Sequence, residues 1–207
     1  MTEQTRPPES FNEAYAQTPP WDIGRPQPAI VALADRGGVL RAPLLDVGCG
    51  TGEHVLFLRS RGIDASGIDI APAAIERARE KARLCGVDPN VFSIADALAL
   101  GTLGKRFSTT LDVGVFHIFG DADRVRYAAS LAQILEPGGV YVTMAFSDHE
   151  PADWGGPRRI READFASTFR DGWRVRSVEE ARFTTHLPQH AASGGRAWVA
   201  VVDRVSR

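Results

Sequence analysis

The segment Leu45-Asp46-Val47-Gly48-Cys49-Gly50-Thr51-Gly52 constrains this chain more than any other. A short apolar run, Leu44 to Val47, is closed by glycines at 48, 50 and 52, and apolar Val55, Phe57 and Leu58 come after it. That is the pattern of a buried parallel strand, a tight turn and the start of a helix. Glycines in such a turn let the backbone bend sharply and approach a ligand, with the amides of the helix start aimed at it. Spacing separates this loop from two others of the same shape. A dinucleotide fingerprint needs its third glycine three positions after the second, and that position is Glu53. The lysine of a phosphate-binding P-loop is also missing.

From the loop onward strands and helices alternate. Ala65 to Ile70 reads as a second strand; Pro72 opens a helix in which Ile75, Ala78 and Ala82 recur until Gly86. Val91 to Ala95 and Leu111 to Phe116 read as third and fourth strands. Between Asp121 and Glu136, Val125, Ala128, Ala129, Ala132 and Leu135 trace one helix face. Pro137-Gly138-Gly139 breaks that helix, and Val140 to Phe146 forms a fifth strand. The tail supplies a helix, Arg161 to Phe169, and two more strands, Trp173 to Thr184 and Ala197 to Val202. Ahead of the loop, Ile30, Val31 and Leu33 mark a short helix ended by Gly37-Gly38. Residues 1–28 form a polar arm in which Asn12 to Ala16 makes a helical turn or two before Pro19-Pro20. The alternation predicts a Rossmann-like, doubly wound α/β fold. Its seven-stranded, mostly parallel sheet carries helices on both faces and a ligand at the C-terminal ends of the strands.

Composition narrows the function. The 207 residues are 43% hydrophobic and 24% charged, as in ordinary globular domains. A formal net charge of −2 gives no broad attraction to nucleic acid or anionic lipid. Two cysteines, Cys49 and Cys85, lack metal-type spacing and suit a reduced compartment. MTEQTRPPES lacks the apolar stretch of a signal peptide. No window approaches the roughly 18 apolar residues of a membrane span. A soluble, cytoplasmic protein is expected.

Asp46 to Gly52 resembles the first motif of class I S-adenosylmethionine-dependent methyltransferases, and supporting motifs extend the likeness over nearly the whole chain from residue 21. The resemblance implies that Asp46, Gly48, Cys49, Gly50, Thr51 and Gly52 cradle the methionine part of the cofactor. Asp69, nineteen residues after Gly50, would accept hydrogen bonds from both ribose hydroxyls; capping the next helix is its other possible role. Ile70 would lie against the adenine, Asp96 and Ala97 at its polar edge, and Val115 beside the cofactor. Asp96 could equally be a solvated turn residue.

In the same family the residues after the fourth strand face the transferred methyl, which makes Phe116 a candidate wall and His117 the candidate general base. An imidazole with a pKa of about 6.5 can deprotonate a phenol, hydroxy-heterocycle or thiol at neutral pH. A lone histidine is also often a core or capping residue, and holding the nucleophile in line can suffice without a base. Pro20-Trp21-Asp22-Ile23-Gly24-Arg25-Pro26 is similar to the entry segment of the small-molecule branch, which includes thiopurine-, thiol- and bacterial heterocycle-type enzymes. It implies that Trp21 contacts the methionine end and that residues 1–28 form a lid on a domain of 29–207. Phe146-Ser147-Asp148, Gly155 to Ile160 and Gly172-Trp173 look like the same branch and place His149, Trp154 and Arg158 at the acceptor pocket. Arg158-Arg159 could form structural salt bridges or hold an acidic acceptor. His186 and His190 lack partners at ligand spacing, so no metal is expected. The expected activity is methyl transfer to O, N or S of a small aromatic or heterocyclic molecule, with no nucleic-acid or membrane partner. A cofactor-binding module without chemistry, a methyltransferase acting on protein or RNA, and a NAD-type oxidoreductase (which Glu53 disfavours) are the alternatives.

Overall fold

Leu44, Leu45, Asp46 and Val47 are all buried, which requires cover on both faces of the sheet they belong to. The computed structural model describes residues 8–205; the first seven residues of the arm and the last two of the 29–207 unit lie outside them. Among the described residues the strands are β1 (Leu44–Val47), β2 (Ala65–Asp69), β3 (Phe92–Ile94), β4 (Phe107–Val113), β5 (Leu135–Phe146), β6 (Trp173–Phe183) and β7 (Gly195–Arg204). The α-helices are α1 (Pro8–Ala14), α2 (Pro28–Arg36), α3 (Glu53–Ser60), α4 (Pro72–Leu84), α5 (Asp121–Ile134) and α6 (Glu162–Thr168). One sheet holds all seven strands in the order β3-β2-β1-β4-β5-β7-β6. The first five run parallel, and β7 lies antiparallel between β5 and β6. The fold is Rossmann-like and doubly wound, as the alternation predicts. The chain reverses its direction of travel across the sheet between β1 and β4, where such folds open a crevice.

Alternation along the strands sends side chains into two separate cores. Leu44, Leu111, Val142 and Met144 pack with Ile30 and Leu33 of α2, Val55 and Leu58 of α3, and Ile75 and Ala78 of α4. Leu45, Val47, Tyr141 and Ala145 face the other way, onto Tyr127, Leu131 and Ile134 of α5 and Phe165 of α6. Neighbouring residues of β1 therefore serve opposite layers, as a period of two dictates.

Several boundaries differ from those the sequence predicts, most clearly those of β4 and β5. β4 begins at Phe107 and ends at Val113, whereas the apolar pattern points to 111–116. Buried Thr109 and Thr110 hide the strand from an apolar count, and Gly114, at φ +98°, ends it early. α5 ends at Ile134, before Pro137-Gly138-Gly139, and Leu135, expected on its face, already belongs to β5 with those three residues. The register steps from Phe107 opposite Leu135 to Thr109 opposite Val140, so the glycines form an irregularity within the strand.

Asp112 anchors the turn after β4. Its carboxylate is fully buried and accepts hydrogen bonds from Val115 N (2.7 Å), Phe116 N (3.0 Å), Tyr141 Oη (2.8 Å) and Tyr127 Oη (3.2 Å). Burial drives its pKa up to about 7 against the pull of these donors. Tyr141→Phe should cost about 1.5–3 kcal/mol, the range for a hydrogen bond to a charged group. Urea unfolding at pH 8 measures it, and an unchanged midpoint would remove Tyr141 from the anchor.

Candidate active site

The glycine loop is squeezed from two sides. Gly48 (φ +71°) and Gly50 (φ +54°) take left-handed conformations that suit glycine. A Cβ on Gly48 would sit 2.2 Å from Val115 Cγ2, and one on Gly50 2.9 Å from the Tyr15 hydroxyl. Cys49 turns inward, so that a Cβ on Gly67 would meet its Sγ at 2.7 Å; it offers the crevice backbone alone. Thr51 is buried, and its hydroxyl faces Asp22 Oδ1 (3.1 Å) and Glu53 Oε2 (2.8 Å) while accepting from Lys81 Nζ (2.8 Å). Gly52 begins α3.

Three buried carboxylates stand at the ends of neighbouring strands. Asp69 accepts from Gly50 N and Ala71 N, both at 2.9 Å, binding the glycine loop to the start of α4. The capping role open to Asp69 is thus present. Asp46, 1% exposed, has no hydrogen-bond partner for either oxygen; the neutral His54 ring, its pKa pushed down to about 4 by burial, brings Nδ1 to 3.7 Å from Oδ2. Burial, then the charges of Asp112, Asp69 and Glu53, hold the Asp46 pKa well above the carboxylate range. Among the described residues no lysine or arginine pairs with Asp46, Asp69 or Asp112. Unpaired buried charge is costly, so these groups are pushed toward the neutral form and would be held ionised only by a cation beside them. Ile70 and Ala97 lie at the adjoining ends of β2 and β3. Asp96 there is exposed and caps a short turn through Leu98 N (2.8 Å).

The turn after β4 bears on two expectations. Phe116 is fully buried and stacks on Phe165 (5.2 Å) and Phe169 (5.8 Å) in the α5–α6 core, so it does not wall the pocket. Consecutive residues of the Phe116–Ile118 turn point to different sides, and His117 is the one that faces the sheet end. Its ring stacks on Phe146 (5.3 Å) and lies 5.9 Å from Phe183. Nδ1 accepts the Phe146 N–H at 3.0 Å, which leaves the hydrogen on Nε2. Burial, then the nearby Arg159, pushes its pKa down to about 3. The ring is thus neutral and presents an N–H at Nε2.

Around it an aromatic group assembles from distant segments. Phe146 lies 4.7 Å from Phe183 and 5.5 Å from Trp154, and Trp154 meets His190 edge-on at 5.1 Å. Glu150 fixes this wall by accepting from Trp154 Nε1 (3.1 Å) and Arg196 N (2.6 Å) while facing His190 Nε2 at 2.9 Å. The Arg159 guanidinium covers the Trp154 ring at 4.2 Å and Phe146 at 5.5 Å. Its N–H groups go to the carbonyls of Pro151, Gly155 and Pro157. Trp154 thus joins this aromatic group, whereas Arg158 and His149 do not. Arg158 is structural, its N–H bonded to the His117 carbonyl (3.1 Å) and its side chain 3.4 Å from Asp121. His149 is half exposed against Trp198 and Glu180, outside the group, because Trp198 belongs to the opposite core.

The arm closes over the loop. Trp21 is 39% exposed and donates its indole N–H to the Tyr15 hydroxyl (3.2 Å). Tyr15, 5% exposed, is thus the aromatic that reaches Gly50, with Trp21 behind it. Burial, then the Asp69 charge, raises the phenol's pKa, so it stays neutral. Sequence reasoning misses Tyr15, Phe183 and His190 as site residues, and names Arg159 only as one of a pair with Arg158. Only Tyr15 carries a signal, an aromatic inside a polar arm.

Comparison with known proteins agrees with this geometry. A family model described as a methyltransferase domain matches residues 44–139. The 2-heptyl-1-hydroxyquinolin-4(1H)-one methyltransferase of Mycobacteroides abscessus is 34% identical over 171 residues, covering 82% of this chain and 75% of that protein. Thiocyanate methyltransferase 1 of Brassica oleracea is 27% identical, covering 78% and 71%. A solved structure described under the conversion of a disulfide bond into a thioacetal group in echinomycin biosynthesis is 32% identical. It superposes with a TM-score of 0.84 and covers 96% of this chain and 93% of that one. The chain belongs to the class I S-adenosylmethionine-dependent methyltransferases that act on small molecules. The residues fit the cofactor. The unpartnered Asp46 carboxyl, which a nearby positive charge would hold ionised, suits a ligand bearing a sulfonium and an ammonium, and the Gly48–Gly50 backbone is free to approach it. Among the described residues no three His, Cys, Asp or Glu side chains gather as a metal site, and no helix is long and apolar enough to cross a membrane.

Asp69→Ala should weaken binding of S-adenosylhomocysteine at least about tenfold, since it removes a carboxylate and loosens the loop together; calorimetry showing wild-type affinity would exclude Asp69 from the site. His117 also makes a pH prediction. Its folded pKa lies below that of the unfolded chain, so its contribution is complete above about pH 6.5 and is lost as pH falls toward 3. His117→Asn should flatten stability against pH between 4 and 6 by up to about 1.4 kcal/mol per unit. An unaltered slope in chemical denaturation would mean the ring titrates normally.

Proposed function

We propose that this enzyme methylates the ionised form of a small, acidic aromatic or heterocyclic acceptor, at oxygen, nitrogen or sulfur, without an enzymic base. The observation that carries this is the engaged Nδ1 of His117, which leaves an N–H and no lone pair for the acceptor. Arg159 adds positive charge over the aromatic wall and has no carboxylate within salt-bridge distance among the described residues. An anion gains from both, and a flat ring gains from Trp154, Phe146 and Phe183. The relatives' names agree in kind: a 1-hydroxyquinolone carries an acidic N-hydroxyl, and thiocyanate is an anion.

The cofactor supplies, when bound, a methyl group made electrophilic by its sulfonium. Asp46, Asp69 and the Gly48–Gly50 backbone hold the cofactor, and Tyr15 closes the loop from the arm. The aromatic wall excludes water and orients the acceptor, and His117 Nε2–H donates to the acceptor's charged atom. Positioning and desolvation then carry the rate. Free cysteines, one buried and one exposed, accord with a cytoplasmic setting.

The test is kcat/KM against pH for hydroxy-heterocycles of graded acidity. The acidic limb should move with each acceptor's own pKa. A limb that stays at one pH for every acceptor would place the base on the enzyme and overturn this reading. Arg159→Met should raise KM for anionic acceptors about tenfold, the order of a charge-assisted contact of about 1.4 kcal/mol, while affinity for S-adenosylhomocysteine is kept.

A further inference from the structure

His54 stands between the arm and the methionine end of the cofactor site. It comes two residues after Gly52, in the first turn of α3, and its Nε2 accepts the Gln27 N–H at 3.1 Å. The ring hydrogen is therefore on Nδ1, which lies 3.7 Å from Asp46 Oδ2. Both oxygens of that buried carboxylate lack hydrogen-bond partners. Gln27 is itself buried and pairs in both directions with the backbone of Thr184, donating to its carbonyl and accepting from its N–H at 2.9 Å each. Nearby, His186 N donates to the Pro20 carbonyl at 2.8 Å. The rear of the arm is thus docked on His54 and on the β6–β7 connection, while Asp22 docks its front on Thr51.

We propose that His54 is a positioning residue through which cofactor occupancy and arm docking are coupled. The inference rests on the S-adenosylmethionine site and is independent of the acceptor. A cationic group beside Asp46 keeps that carboxylate ionised. The Nδ1–H then faces a full negative charge and the contact becomes charge-assisted. An imidazole polarised in this way is a better acceptor at Nε2, so the Gln27 N–H is held more firmly. By linkage the effect runs both ways, and a docked arm tightens cofactor binding by the same factor.

Hydrogen exchange of the Gln27 amide and its arm neighbours, with and without S-adenosylhomocysteine, tests this alongside calorimetry. In the wild type the ligand should slow arm exchange about tenfold, within the usual span of coupling energies. In His54→Leu that ligand-dependent slowing should vanish, and affinity should fall by the same factor. Where His54→Leu does not fold, two narrower variants decide. His54→Asn keeps a donor toward Asp46 and His54→Gln an acceptor toward Gln27, and each should lose the slowing. A merely structural histidine would lower the melting temperature and leave the ratio of exchange with and without ligand as it is. That result overturns the proposal. A wild-type protein that does not bind S-adenosylhomocysteine overturns the cofactor site itself, which is a different failure and is read directly from the calorimeter.

Discussion

Buried carboxyl groups without a counter-charge govern this molecule. Asp46, Asp69 and Asp112 end adjacent strands and are all out of water, and burial pushes each toward its protonated form. Two are restrained by backbone amides and phenols; Asp46 has neither. An apo protein bearing this arrangement sacrifices stability. A ligand with fixed positive charge recovers part of it, which ties cofactor affinity to the same electrostatics that strain the empty fold.

The acceptor side has the opposite character. Its wall is aromatic, its cation is held by neutral carbonyls, and its histidine has its basic nitrogen occupied. Selectivity on that side depends on acidity and flatness more than on proton abstraction. The two halves meet at the turn after β4, where Asp112 clamps the backbone of Val115 and Phe116. Val115 then abuts Gly48 on the cofactor side and His117 meets Phe146 on the acceptor side.

The cofactor half is legible in the sequence because it is local. The strand, the alternate glycines and Asp69 lie within twenty-six residues of one another, and their period and spacing have one economical reading. Most of the acceptor half is not. His117, Phe146, Trp154, Phe183 and His190 converge from the ends of two strands and three connections, and no spacing reveals that Glu150 braces His190 forty residues away. Sequence position assigns Phe116 and His117 together to the pocket, although a tight turn separates their directions. It favours Arg158 over Arg159, a choice between neighbours that only packing can make. Trp21 stands out as the arm's aromatic, while the contact with the loop belongs to Tyr15, six residues earlier.

The antiparallel insertion of β7 between β5 and β6 has an evolutionary corollary. β6 thereby runs parallel to β5, so the β6–β7 connection turns at the crevice edge of the sheet, and Phe183 and His190 enter the wall there before β7 leads the tail away. Substrate range can then drift through Phe183, His190 and their neighbours, while Thr184 and His186 of the same connection stay tied to the arm over the cofactor side. One scaffold can diversify its chemistry at one edge and preserve its fuel supply at the other.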